Sequence, residues 1–328
     1  MPHHEAMRTQ SHDPAVLVTG GSGFIGRRLV KTLAHKGETT ISMYRHRLLE
    51  PIPQVLPVRA DMMHAEGLGV ALRNVKSVVH LAWDGGVVGP PIDEGSPHSL
   101  SGPNLPRNVQ MLCNLIQAME QAGTKRIVFL SANGASRHSK VPFLAEKYLA
   151  EFFILNSKIP ERVIVRTSLV VGGGTAQDRF LKSILRVMRF PGFYPIPKVE
   201  GTFAPVHVDD VVNVLAELAI APMREPSAML LLNGDESYQV DEVFKLVSER
   251  YGSGYRFPLK GFLGSTLLPF FERDTKADPT TPRLRHYLAL AQGQKRKVEH
   301  HKKESPLEGA LPERFASFRE VIVRPTDQ

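Results

Sequence analysis

Short, apolar, largely β-branched runs alternate along this chain with segments whose apolar positions recur every three or four residues. Residues 15–19, 39–44, 55–59, 77–82 and 126–131 are runs of the first kind and predict buried strands, and 163–171 predicts another. Residues 24–36 carry Ile25, Leu29, Val30 and Leu33 on one helical face, and 109–121 predicts a helix leading into the strand at 126–131. Most neighbouring strands are separated by about the length of a right-handed crossover, so the pattern predicts an α/β fold: a Rossmann doubly wound parallel sheet with a smaller C-terminal substrate lobe. Residues 14–171 are read as the nucleotide-binding domain, completed by 204–235, with 172–203 and 236–320 forming the smaller lobe and 1–13 a disordered polar tail.

Two stretches interrupt the alternation. Residues 84–106 are rich in Gly and Pro and follow the fourth strand, as either a wall of the ligand crevice or a plain insertion. After a strand at 229–233, Gly234-Asp235-Glu236 reads as a turn, and Val240, Val243, Phe244 and Val247 mark one face of a helix beyond it.

The first strand runs directly into Gly20-Gly21-Ser22-Gly23-Phe24-Ile25-Gly26 and then into a helix. Glycines at positions 20, 23 and 26 let the backbone turn tightly, approach a pyrophosphate and pack helix against strand, while the helix N-terminus offers free N–H groups to an anion. Strand before and helix after make this a dinucleotide cradle rather than a chance Gly-rich turn.

Composition narrows the picture. At 328 residues and 42% apolar content, the chain has enough material for one large domain and a smaller lobe. The single cysteine, Cys113, rules out an internal disulfide framework and fits a reducing, cytoplasmic setting; its helical position reads as packing. No apolar stretch is long enough to span a bilayer. The net charge of +8 gathers partly in a run from Lys295 to Lys303, which reads as a solvated helix face rather than a nucleic-acid surface. His3-His4 and His300-His301 lack helical ligand spacing and Cys or carboxylate neighbours, so no metal site is expected. Asp209-Asp210 are read as capping a helix over 211–221. No Gly-x-Ser-x-Gly elbow points to a hydrolase.

The second strand ends in Tyr44-Arg45-His46-Arg47, where a site for the unphosphorylated coenzyme usually offers a carboxylate to the ribose 2′-hydroxyl. Arg45 in that position favours NADP(H), with NAD(H) as the second possibility, because a guanidinium pairs bidentately with phosphate. Asp61, just after the third strand, is placed to accept from the adenine amino group or to serve a solvated turn.

With these residues in hand, the chain resembles the extended and atypical short-chain dehydrogenase/reductases, the epimerase/dehydratase family. The likeness rests on the glycine motif from Thr19 to Gly26, His80-Leu81-Ala82-Trp83, Asn108, Leu130-Ser131-Ala132, Arg166-Thr167-Ser168 and Val206-His207-Val208-Asp209-Asp210-Val211. It implies that Gly20, Ser22, Gly23, Phe24, Ile25, Gly26, Leu81, Ala82 and Lys147 contact the cofactor, alongside Arg45 and Asp61. It also implies that Ser131 orients a substrate and that a Tyr-x-x-x-Lys pair carries the chemistry. Here the chain departs: Lys147 is present, but the tyrosine position is Phe143, which has no ionisable proton.

Several readings stay open. Lys147 supplies the proton itself, its pKa lowered by burial and by the cationic nicotinamide, with Ser131 polarising a carbonyl and Ser136 and His138 in reserve. Alternatively the protein is a non-catalytic NADPH-binding scaffold resembling the respiratory complex I accessory subunit, or the helix register differs. Gly201-Thr202-Phe203-Ala204-Pro205 lacks the arginine that sugar-nucleotide enzymes commonly place there. Apolar residues in 179–197 and 262–271 suit the packing of the smaller lobe. The expected partner is a small-molecule substrate; a homodimer is compatible, while nucleic acid and a membrane span are not expected.

Overall fold

The computed structural model describes residues 15–83, 105–139, 141–172, 179–188, 193–197, 201–251 and 257–261. The expected tail 1–13, most of the loop 84–106, the segment 262–271 and the basic run 295–303 lie outside the described residues.

The elements, in order, are β1 (Ala15–Thr19), α1 (Gly26–His35), β2 (Thr40–Tyr44), β3 (Val55–Arg59), α2 (Leu68–Ala71), β4 (Val75–His80), α3 (Arg107–Ala122), β5 (Arg126–Ala132), α4 (Pro142–Leu155), β6 (Glu161–Thr167) and β7 (Val170–Val171). They continue with α5 (Arg179–Val187), β8 (Phe193–Pro197), β9 (Thr202–Phe203), β10 (Val206–His207), α6 (Val208–Ile220), β11 (Ser227–Leu232), β12 (Tyr238–Gln239), α7 (Val240–Tyr251) and β13 (Phe257–Gly261). Seven strands form one parallel sheet in the order β11-β6-β5-β4-β1-β2-β3. Parallel strands joined by crossovers place helices on both faces, and each face has its own apolar layer. One layer joins Leu17, Val78, Ile127 and Phe129 to α3 and α4 through Leu112, Leu115 and Ile154. The other joins Val16, Val18, Val79, Val128 and Val165 to α1 and α6 through Leu29, Leu33, Val211 and Leu215. A third cluster packs Phe180 and Ile184 of α5 against Val243, Phe244 and Val247 of α7, with Ile196 and Phe203.

The strand pattern at 55–59 predicts burial, yet β3 is largely exposed, with Leu56 at 55%. It is the last strand of the sheet and, among the described residues, pairs with β2 alone. The run at 163–171 is two strands: β6 ends at Thr167, and Val170–Val171 pairs with β10 instead. The first helix starts at Gly26 rather than Phe24, because Phe24 and Ile25 belong to the glycine turn. The helix expected over 211–221 begins at Val208, and its cap is His207, whose Nδ1 accepts from Asp209 N at 3.3 Å. Asp209 and Asp210 sit in the first turn, where their charge suits the positive end of the helix. Among the described residues no helix is long and apolar enough to cross a membrane.

Candidate functional site

The sheet order reverses at β1, which has β2 on one side and β4 on the other, so the connections that follow diverge and leave a crevice beyond the carboxyl ends of these strands. Thr19 and His80, paired in register, close β1 and β4 there, and both are buried. Thr19 Oγ1 accepts from Leu81 N and Ala82 N, each at 3.2 Å, and lies 2.8 Å from His80 Nδ1. With two N–H groups on its lone pairs, the Thr19 hydroxyl donates to Nδ1, so the imidazole is neutral with its proton on Nε2, which has no partner among the described residues. Burial, with Lys147 nearby, lowers the His80 pKa to about 3. One threonine therefore ties the glycine turn to the Leu81-Ala82 backbone. Thr19→Val should lower unfolding free energy in urea by ~1–3 kcal/mol, because Ala82 N and the buried imidazole lose their partner while Leu81 N keeps Thr19 O at 3.3 Å, and Thr19→Ser should stay within about 1 kcal/mol of the native protein.

The glycine turn is built for close approach. Gly20 has φ +70°, and a Cβ there would meet Ala82 N at 2.8 Å; at Gly26 it would overlap Gly20 O and meet Gly21 Cα at 2.8 Å. Gly23 N donates to Gly20 O at 2.9 Å, which closes the turn. Ile25 occupies the position before α1 without capping it, and the first turn holds no acidic residue. It holds Arg27 and Arg28 instead. The Arg27 side chain folds back to donate to Gly23 O at 3.2 Å and Ser22 O at 3.4 Å, while Arg28 donates to Phe24 O and lies over the Phe24 ring. Arg28 is also offset by the Asp209 carboxylate, 3.5 Å from its Nε, and the positive end of the helix itself suits a bound anion. A backbone cradle that a Cβ would fill, beside N–H groups and cations, fits a dinucleotide pyrophosphate.

Arg45 and Asp61 come together beyond β2 and β3. Asp61 Oδ1 accepts from Met63 N at 2.8 Å, and Oδ2 lies 3.4 Å from His64 Nδ1. Partial burial pushes the Asp61 carboxyl up, but the Met63 hydrogen bond and the nearby charges of His64 and Arg45 hold it below its ordinary value. Asp61 is thus held in a local turn and keeps Arg45 company.

Lys147 emerges from α4 into an aromatic enclosure that the sequence motifs do not spell out. Its Nζ lies 3.8 Å from the Trp83 ring centre, 4.5 Å from Phe129 and 5.7 Å from Phe143, and donates to Leu130 O at 2.8 Å. Trp83 and Phe143 meet edge to face. Burial lowers the Lys147 pKa to about 7, against the opposing charges of Glu151 and Glu146. Ser131 does not join this group. Its hydroxyl donates to Glu151 Oε1 at 2.5 Å, and Glu151 is held from the other side by Arg166 at 2.8 and 2.5 Å. Ser136, in the loop beyond, accepts from His138 N. Burial raises the Cys113 thiol pKa to about 11, which keeps it protonated. Among the described residues no group of three His, Cys, Asp or Glu side chains could hold a metal.

A family described as NAD(P)H-binding matches residues 20–169, the span from the glycine turn to just past β6. This span contains the cradle, Arg45, Asp61, the Thr19 anchor's partners and Lys147. Over 254 residues the chain is 24% identical to the NADH dehydrogenase [ubiquinone] 1 alpha subcomplex subunit 9 of Dictyostelium discoideum, covering 74% of this chain and 66% of that protein. Over 174 residues it is 28% identical to a 3-beta-hydroxysteroid dehydrogenase of Mycolicibacterium neoaurum, covering 52% of this chain and 46% of that one. The chain thus matches less than two thirds of the length of either relative. The fold is shared with the UDP-glucose 4-epimerase of Thermus thermophilus, solved with NAD, at 20% identity and a TM-score of 0.56, covering 85% of this chain and 98% of that chain. The resemblance to epimerase/dehydratase-type short-chain dehydrogenases, drawn from the motifs, holds at the level of fold and of the nucleotide-binding unit.

Proposed function

We propose that this chain binds NADP(H) in preference to NAD(H) and passes a hydride between the nicotinamide and a carbonyl or alcohol carbon, with Lys147 handling the accompanying proton. In this reading Gly20, Ser22, Gly23, Phe24, Ile25 and Gly26 hold the pyrophosphate, Leu81 and Ala82 border the crevice, Arg45 meets the 2′-phosphate, and Asp61 holds the neighbouring turn. The smaller lobe, of which α5, β8, β9, β12, α7 and β13 are described, takes the substrate. When bound, the coenzyme supplies or takes up the hydride.

The observation that carries the reading is the enclosure of Lys147. An amine that titrates near pH 7 is divided between base and acid at neutral pH, so it can take a proton from an alcohol or give one to a carbonyl without the tyrosine that Phe143 replaces. The Leu130 carbonyl fixes where the amine points, and the rings keep water from it. Turnover tests this directly: NADPH consumption against a panel of ketones, hydroxysteroids and nucleotide sugars should fall at least ~100-fold in Lys147→Ala. Cofactor preference is a separate measurement. By calorimetry, Arg45→Ala should weaken NADPH about 10–100-fold and NADH less than threefold, since only the former presents the 2′-phosphate.

A second reading is favoured by the same enclosure and by the Ser131 contact. A lysine wrapped by three rings and a serine committed to Glu151 suit a scaffold or assembly protein that holds NADPH without turning it over, and the similarity to an NADH dehydrogenase subunit is compatible with that. Tight NADPH binding with equal inactivity of native and Lys147→Ala proteins would select it.

A further inference from the structure

Asn133 is the first residue beyond β5, on the edge of the sheet that borders the crevice, and it is 7% exposed. Its backbone N donates to Thr167 O at 2.9 Å, which fixes it over the end of β6. Its Nδ2 donates to the side-chain oxygen of Asn233, the residue that follows β11. Because β6 lies between β5 and β11, this amide-to-amide bond bridges the end of β6, and Asn233 is anchored in turn through Gly234 N to Ala204 O at 3.1 Å. Both amides are therefore held, and among the described residues the remaining atom, Asn133 Oδ1, is buried with no hydrogen-bond partner.

An unpartnered buried amide oxygen is costly and calls for a donor. It can only accept, so it takes an O–H or N–H and turns away carboxylate, phosphate or a bare ketone oxygen. Ser131, the β5 hydroxyl that the family resemblance assigns to a substrate, is spent on Glu151. We propose that Asn133 is a specificity-determining residue whose side-chain oxygen accepts a hydrogen bond from an O–H or N–H donor of the bound ligand. This rests on the reading that the carboxyl edge of the sheet holds a nicotinamide coenzyme and its substrate. Two sources present such a donor: the carboxamide of the nicotinamide, and a hydroxyl next to the reacting carbon of the substrate.

Calorimetry with matched ligands separates them. The first pair is NADPH and its 3-acetylpyridine analogue, in which a methyl replaces the carboxamide nitrogen. The second, titrated onto NADPH-loaded protein, is 2-hydroxycyclohexanone and cyclohexanone. The native protein is expected to prefer the donor-bearing member of one pair by about tenfold, and Asn133→Leu to reduce that preference to under twofold. A preference lost within the first pair assigns the contact to the coenzyme, and within the second to the substrate. Should Asn133→Leu fail to fold, Asn133→Ala, smaller than the native residue, carries the same expectation. Preferences unchanged in the variants, or absent from the native protein while NADPH binds, overturn the inference and leave the coenzyme reading standing. Failure of the native protein to bind NADPH at all overturns both.

Discussion

Replacing Gly26 by alanine is expected to remove dinucleotide binding, raising the Kd for NADPH by at least ~100-fold, the scale of a few kcal/mol of lost interaction. The backbone at Gly26 is not in the left-handed region, so the penalty is one of space. A Cβ there would overlap Gly20 O and stand 2.8 Å from Gly21 Cα, atoms of the turn itself that cannot swing aside as a side chain would. Gly20 O also accepts from Gly23 N, so any shift that admits the methyl breaks the bond that closes the turn. Two other glycines serve as controls. Gly37 has φ +83° with nothing within 4 Å of a built Cβ, so Gly37→Ala should cost about 1 kcal/mol in stability through its backbone alone and leave binding intact. Gly69, inside α2 with open space around it, should become slightly more stable as alanine, by about 0.5–1 kcal/mol. Calorimetric titration of the three variants with NADPH decides the matter, and native-like affinity in Gly26→Ala would remove the turn from the site.

What could be read from the sequence was whatever depends on near neighbours. The β1 run, the glycine spacing and the amphipathic α1 are local patterns, and the parallel sheet followed from their repetition. The exposure of β3 was hidden because it depends on the strand order, which among the described residues leaves β3 at the end of the sheet beside β2. The break after Thr167 was hidden because Val170–Val171 is drawn away by Val206–His207, far along the chain. In the site, it was the family resemblance that singled out Lys147 and placed Phe143 at the tyrosine position. That Trp83 would cover the amine was not legible, since a residue after β4 and one on α4 meet only once the sheet is assembled. Ser131 reads as free in the sequence; register places it beside Arg166 on β6, and Glu151 from α4 comes down between the two. Asn133 and Asn233, a hundred residues apart, gave no signal at all.

Lys147→Met should make the protein more stable while it makes the proposed reaction disappear, and the size of the gain should depend on pH. In the unfolded chain this amine holds its proton up to its ordinary value of 10.5; in the folded protein burial lowers that to about 7. Between these values the unfolded state binds more protons, so native stability rises with pH across that window. Below pH 7 both states are protonated and the folded protein bears the full penalty of a buried charge, eased by the rings and by Leu130 O. Methionine fills the same space between Trp83, Phe129 and Phe143 without a charge. In urea unfolding the variant should therefore exceed the native protein by ~2–4 kcal/mol at pH 6–7, with the difference shrinking toward zero by about pH 10.5. His80, depressed to about 3 by burial with Lys147 adding to the shift, is unprotonated in the folded and the unfolded chain above its ordinary value of 6.5, so it adds no slope to the difference between pH 7 and 10.5. The chain's one tryptophan gives a second readout, because it is the ring that lies nearest the amine. Its fluorescence should titrate with a midpoint near pH 7 in the native protein and stay flat there in Lys147→Met. A stability difference independent of pH would mean that the amine keeps its proton through neutrality, and the enclosure of Lys147 would then no longer account for how a site without the usual tyrosine moves a proton.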